Sequence, residues 1–100
     1  MLHTVNKSPF EKNSLRTCLR LAVAGSDILL IEDAVYAAMD GTEFSADVGK
    51  AAGNHNVYVL GPDLMARGLD QDRLVEGVEI VDYDGFVELA VKNDKVQSWL

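Results

Sequence analysis

Four short apolar runs, Leu2–Val5, Ile28–Ile31, Val57–Leu60 and Val78–Val81, recur along the chain with longer stretches between them. That alternation restricts the fold more than any other feature of the sequence. Each run is too short for a helix and is rich in Val, Ile and Leu, as strands are. Ile28–Ile31 and Val57–Leu60 carry no charge, which suits interior strands of a parallel sheet covered on both faces. Parallel neighbours need a crossover connection, and each stretch between runs is long enough for a right-handed one. Asn13–Ala24, Asp33–Ala52 and Pro62–Arg67 have helical spacing. A final helix is expected over Asp84–Lys92, capped by Asp84, with Phe86, Leu89 and Ala90 on one face. Val96–Leu100 reads as a short strand or a docked tail. Gly25, Gly41, Gly53 and Gly68 each fall where a helix should stop. With no repeat, low-complexity segment or linker, the expectation is an α/β fold. It is a three-layer α/β/α sandwich on a small, mostly parallel sheet of four to five strands, in a single domain spanning residues 1–100.

Composition narrows the function. Nine basic against sixteen acidic side chains give a net charge of −7, which repels a phosphate backbone, so direct nucleic-acid binding is not expected. No apolar run approaches the roughly 18–20 residues that span a bilayer, and no charged segment leads into a long apolar one at the amino terminus. The chain reads as cytoplasmic and free of the membrane. A domain of 100 residues buries only about 60–70% of its unfolded surface, so a partner subunit would add useful burial.

In a parallel α/β fold the ligand site lies at the carboxyl ends of the strands, which directs attention to the loops beginning at Asn6, Glu32, Gly61 and Asp82. The first, Asn6 to Lys12, has no glycine and cannot wrap a pyrophosphate as dinucleotide and P-loop sites do. It also lacks the paired acids of a magnesium-dependent phosphoacceptor. Ser8-Pro9-Phe10-Glu11 matches a capping box. Glu32-Asp33 is the one adjacent carboxylate pair at a strand end, and Asp33 is read as the cap of the following helix rather than half of an acid/base pair. His3 lies inside the first strand and His55 before the third, and nothing in the sequence joins them as a metal pair.

Cys18 is the only cysteine, so an internal disulfide and a cysteine-built metal site are both excluded. On a helix starting near Asn13, Leu15, Leu19 and Ala22 form the buried stripe, and Cys18 falls on its flank, favouring partial burial. Arg16 and Arg20 lie on the far side, where they do not lower the thiol pKa. Spacing leaves two roles open, a small core or interface residue or a reactive thiol, with the first favoured.

Four blocks add a resemblance. Met1 to Phe10 (MLHTVNKSPF), Leu29 to Ala38 (LLIEDAVYAA), Tyr58 to Gly68 (YVLGPDLMARG) and Val81 to Val87 (VDYDGFV) closely resemble the DsrH/TusB family of sulfur-relay proteins, as does the aromatic end Gln97-Ser98-Trp99-Leu100. The resemblance implies a subunit of a cytoplasmic heterohexamer with two copies each of three related proteins: DsrE, DsrF and DsrH in sulfur oxidisers, TusD, TusC and TusB in tRNA thiolation. It implies a DsrH-like subunit of a DsrEFH-type sulfurtransferase, beside DsrE-like and DsrF-like subunits, exchanging persulfide sulfur with a DsrC/TusE-like partner. The principal carrier cysteine of such a complex belongs to the DsrE-like subunit. Cys18 matches the cysteine of DsrH-type members, which makes it a candidate auxiliary persulfide carrier and points to the oxidative branch. Two alternatives accompany this reading, a non-catalytic structural subunit and a TusB-type role in tRNA 2-thiouridine synthesis. Persulfide transfer needs an accessible, partly ionised thiol and no metal or organic cofactor. The tail around Trp99 is the expected contact for sister subunits. A remaining reading is a small-ligand enzyme acting through Glu32 and Asp33.

Overall fold

The structure, a computed structural model, describes all residues from 1 to 100. Strands β1 (Leu2–Val5), β2 (Asp27–Leu30), β3 (Asn56–Leu60), β4 (Glu79–Val81) and β5 (Val96–Trp99) form one sheet in the order β4-β3-β2-β1-β5, and every pairing is parallel. Helices α1 (Ser14–Leu21), α2 (Ser45–Asn54), α3 (Gly61–Ala66) and α4 (Tyr83–Lys92) make the crossovers, with 3-10 turns at Glu32–Ala38 and Gln71–Arg73. The first three crossovers step the same way across the sheet, and right-handed connections therefore put α1, α2 and α3 on one face. The last step reverses, from β4 back past β1 to β5, and this carries α4 to the other face.

Side-chain alternation along the strands follows from that arrangement. Val5, Ile28, Leu30, Val57 and Val59 point to the three-helix face, where they meet Leu15 of α1, Val48 of α2 and Leu64 of α3. Leu2 and Leu29 point the other way, onto Leu89 of α4, with Tyr58, Val81 and Phe86 around them. Each fully buried Leu, Ile or Val contributes about 1.5–3 kcal/mol through apolar area removed from water. The two-faced covering explains why β1 and β2 are buried at all four positions and read as continuous apolar runs.

The structure departs from the expected elements at four places. The stretch Asp33–Ala52 is not one helix. It is a 3-10 turn and then α2, separated near Gly41, whose φ of +84° suits glycine far better than other residues. α2 continues through Gly53 to Asn54. The cap of α4 is Asp82, whose carboxylate accepts from the Gly85 N–H at 2.8 Å, and Asp84 sits in the first turn instead. Ser8 caps only a single turn: its hydroxyl accepts from the Phe10 N–H at 3.2 Å and its carbonyl from those of Glu11 and Lys12, while α1 begins later, at Ser14. Without a continuing apolar stripe, a capped turn there does not propagate into a helix. The open choice for Val96–Leu100 is resolved as a strand, which pairs with β1 and completes the sheet.

Candidate functional site

The strand order reverses beside β1, so the crevice at the carboxyl ends of β1 and β5 is the topological switch point of the sheet. The chain fills this crevice with its own groups. Trp99 packs against the three-helix core, and its indole N–H donates to His3 Nδ1 at 3.1 Å. The Ser14 hydroxyl donates to the Leu100 carbonyl at 3.1 Å, tying the start of α1 to the end of β5. Trp99 is thus largely an internal anchor of the last strand, and the fully outward apolar side chain of the tail is Leu100.

At the end of β2, Glu32 adopts φ +50°, the left-handed region that non-glycine residues seldom occupy. Its N–H donates to Asp63 Oδ2 at 2.6 Å. Asp33 does not cap a helix. Its Oδ1 accepts from Arg67 Nε at 3.0 Å and from Nη2 at 2.9 Å, so that α3 is strapped to the 3-10 turn. Glu32 and Asp33 therefore serve different partners and do not converge on a common point where an acid and a base could share a substrate. The bridging role of Arg67 was not foreseen from the sequence.

Cys18 is fully buried in the three-helix core. Burial alone pushes its thiol up to about 12, and no cation stands near enough to offset that. At neutral pH fewer than roughly one in ten thousand such thiols is ionised. The flank position expected from helical spacing is closed over, and the side chain points fully inward. Arg16 and Arg20 are exposed on the outer side of α1, as expected.

The polar site that sequence reasoning missed is Asp27, a carboxylate only 4% exposed at the start of β2. Asn56 Nδ2 donates to Oδ1 at 2.9 Å, Asn93 Nδ2 donates to Oδ2 at 3.0 Å, and Lys92 Nζ lies 3.4 Å from Oδ2. Burial pulls the Asp27 pKa up, but the two amides and the ammonium outweigh it and hold the carboxyl below the ordinary range. A signal was available. Asp27 and Asn56 each immediately precede an apolar run, and in-register parallel pairing sets them side by side. Tyr58 lies above this network, its phenol pKa raised by burial and then by the Asp27 charge.

The His3 pKa is lowered first by burial, then by the amino terminus and by His55. No group of three His, Cys, Asp or Glu side chains is arranged to hold a metal ion. No helix is long and apolar enough to cross a membrane.

Fold and site together define a small parallel α/β protein whose strand-end loops are knit to one another and whose single thiol is enclosed. The sequence profile described as DsrH like protein matches residues 7–96. Protein TusB of Erwinia tasmaniensis is 42% identical over 99 residues, covering 99% of this chain and all of that protein, and Protein TusB of Escherichia coli K12 is 36% identical over the same span. The chain belongs to the DsrH/TusB family of sulfur-relay proteins. Among solved structures, the YchN protein of Escherichia coli superposes with a TM-score of 0.83 at 24% identity, covering 97% of both chains. MTH1491 of Methanobacterium thermoautotrophicum, a protein of unknown function, gives 0.70 at 19% identity, covering 97% of this chain and 95% of its own. These two likenesses bear on the fold alone.

Proposed function

We propose that this chain is the DsrH/TusB-type subunit of a cytoplasmic heterohexamer that relays persulfide sulfur, and that its part there is structural. The observation that carries the structural reading is the enclosure of Cys18, a thiol with no exposure and a pKa near 12. Relay chemistry requires a thiolate to attack the outer sulfur of a persulfide. A new S–S bond forms as the old one breaks, and the departing thiolate takes up a proton. A thiol that is neither ionised nor reachable does not enter that exchange, so the carrying cysteine belongs to the DsrE/TusD-type subunit. This chain then helps shape the surface on which a DsrC/TusE-type partner docks.

The outer side of α4 supports membership in an assembly. Tyr83, Val87 and Val91 stand one turn apart and are 61%, 60% and 80% exposed, an apolar stripe of the kind a sister subunit covers. Relatives at 36–42% identity are TusB proteins, which favours the tRNA 2-thiouridine branch over the oxidative branch suggested by the retained cysteine. The net charge of −7 fits either branch, because a relay subunit hands sulfur to a protein and need not touch RNA.

The test is to incubate the assembled complex with a persulfide donor and weigh each subunit by mass spectrometry. The expected result is added sulfur on the DsrE/TusD-type subunit, none on Cys18, and unchanged transfer in Cys18→Ala with the hexamer intact. Added sulfur on Cys18 replaces this reading with the auxiliary-carrier role.

A further inference from the structure

Three of the nine basic side chains, Arg16, Arg20 and Lys50, line one open groove between α1 and α2, with a single acid, Asp47. Arg16 and Arg20 are one turn apart on α1, while Asp47, Lys50 and Asn54 share one side of α2, so two helical stripes face each other. Leu19 and Ala51 form an apolar floor, and the space is about 380 Å³. In a chain of net charge −7 this groove is a local concentration of positive charge.

The groove is partly organised. The Arg16 guanidinium lies 4.7 Å above the Phe44 ring, with Nε 3.6 Å from Asp47 Oδ2, and Phe44 is held edge-on by Phe10. Arg20 and Lys50 make no ion pair and no side-chain hydrogen bond. His55 lines the same groove, and its Nδ1 is buried with no partner. Helix-end charge compensation accounts for Arg20 alone, in the last turn of α1, since α2 has no basic residue in its last turn.

We propose that this groove binds a small tetrahedral oxyanion of the phosphate or sulfate type, free or borne on a small molecule. The arginine forks match pairs of oxyanion oxygens and Lys50 adds a point charge. The acidic surface beyond the groove repels an extended polyanion, which selects a small ligand over a nucleic-acid backbone. The inference stands independently of the sulfur-relay reading.

The full chain, labelled with nitrogen-15, is titrated at constant ionic strength with inorganic phosphate, sulfate and pyrophosphate, and separately with a short single-stranded RNA. Saturable shifts centred on Arg16, Arg20, Lys50 and His55 are expected with at least one of the small anions. Arg20→Ala/Lys50→Ala should weaken binding roughly tenfold or more, and Asp47→Asn should tighten it by removing the opposing charge. Both variants change exposed side chains, and their circular dichroism should match the parent. Shifts that never saturate, or a double variant that binds as the parent does, would overturn the proposal. So would RNA binding tighter than every small anion.

Discussion

The two faces of the sheet are built on different terms. Three helices cover one face and enclose a core of seventeen buried residues with no charged member, whereas α4 covers the other over only Leu2, Leu29 and Leu89. On the first face stability comes from non-directional burial. The second supplements a thin apolar contact with directed bonds, since Asp27 binds Asn93 and Lys92 at the end of α4 and thereby fastens the helix to the sheet. α4 also turns Tyr83, Val87 and Val91 to solvent. The lesson is that enclosure and availability are divided between the faces: the thiol is sealed on the dense side, and the surface open to assembly is on the sparse one.

Large-to-small substitutions measure that division directly. Leu30→Ala opens a cavity under three helices and should cost about 4 kcal/mol, while Leu89→Ala, on a helix freer to settle inward, should cost about 2 kcal/mol. Urea unfolding compares them, and equal losses would break the contrast between the faces. Below Leu89→Ala falls Asp27→Ala, at about 1.5 kcal/mol, because it removes a buried charged acceptor from two amides, of which Asn56 is exposed and Asn93 half-buried and can turn to water. Its linkage has a definite sign. The folded carboxyl titrates below its unfolded value of about 3.9, so its contribution is present above that pH and is lost as pH falls through the folded pKa. Acid unfolding of Asp27→Ala should consequently show a shallower loss of stability below about pH 4 than the parent.

Most of this architecture was legible in the sequence, because four uncharged or nearly uncharged runs separated by crossover-length stretches leave few alternatives to a parallel sheet. The fifth strand was ambiguous because Val96–Trp99 is an edge strand with exposed Gln97 and Ser98 and lacks the apolar density of β2. Gly41 was read as a helix stop and does separate two elements, but the 3-10 form of the first was obscured by the apolar spacing from Ala34 to Ala38, which a 3-10 turn satisfies as well as an α-helix does. At the strand ends, Asp33 was assigned to a cap because capping is local and can be read from neighbours, whereas its partner Arg67 lies 34 residues away. The Asp27 network escaped for the same reason, since Asn93 comes from a helix on a face whose identity depends on strand order. Cys18 lay on the flank of the helical stripe, and its full burial depends on how closely α1 and its neighbours pack over the sheet.

The enclosure of Cys18 gives a smaller effect. With iodoacetamide at neutral pH, the folded chain should be alkylated at least about a hundredfold more slowly than the chain in denaturant, because a buried thiol titrating near 12 offers little thiolate. Cys18→Ala should cost about 1 kcal/mol, the removal of one small buried atom. Alkylation of the native chain at the unfolded rate would show that the dense face opens as readily as the other, and the division between them would fail.

The smallest effect concerns the hold on β5. His3 Nδ1 accepts the Trp99 N–H, which requires that nitrogen to be unprotonated. The folded pKa of His3 lies below its unfolded value of about 6.5, so the neutral form favours the native state. The contribution is complete above that value, declines as pH falls through it and is gone below the folded pKa, a loss of about 1 kcal/mol. Trp99 is the only tryptophan, so the emission reports on the surroundings of this one indole. Acidification to pH values below 6.5, through the lowered folded pKa of His3, should move the emission toward the red as the indole loosens from the core. His3→Gln should abolish that transition, since a side-chain amide oxygen can accept the same bond without titrating there. A transition that survives His3→Gln would assign the release of β5 to another group and leave the dense face without this anchor.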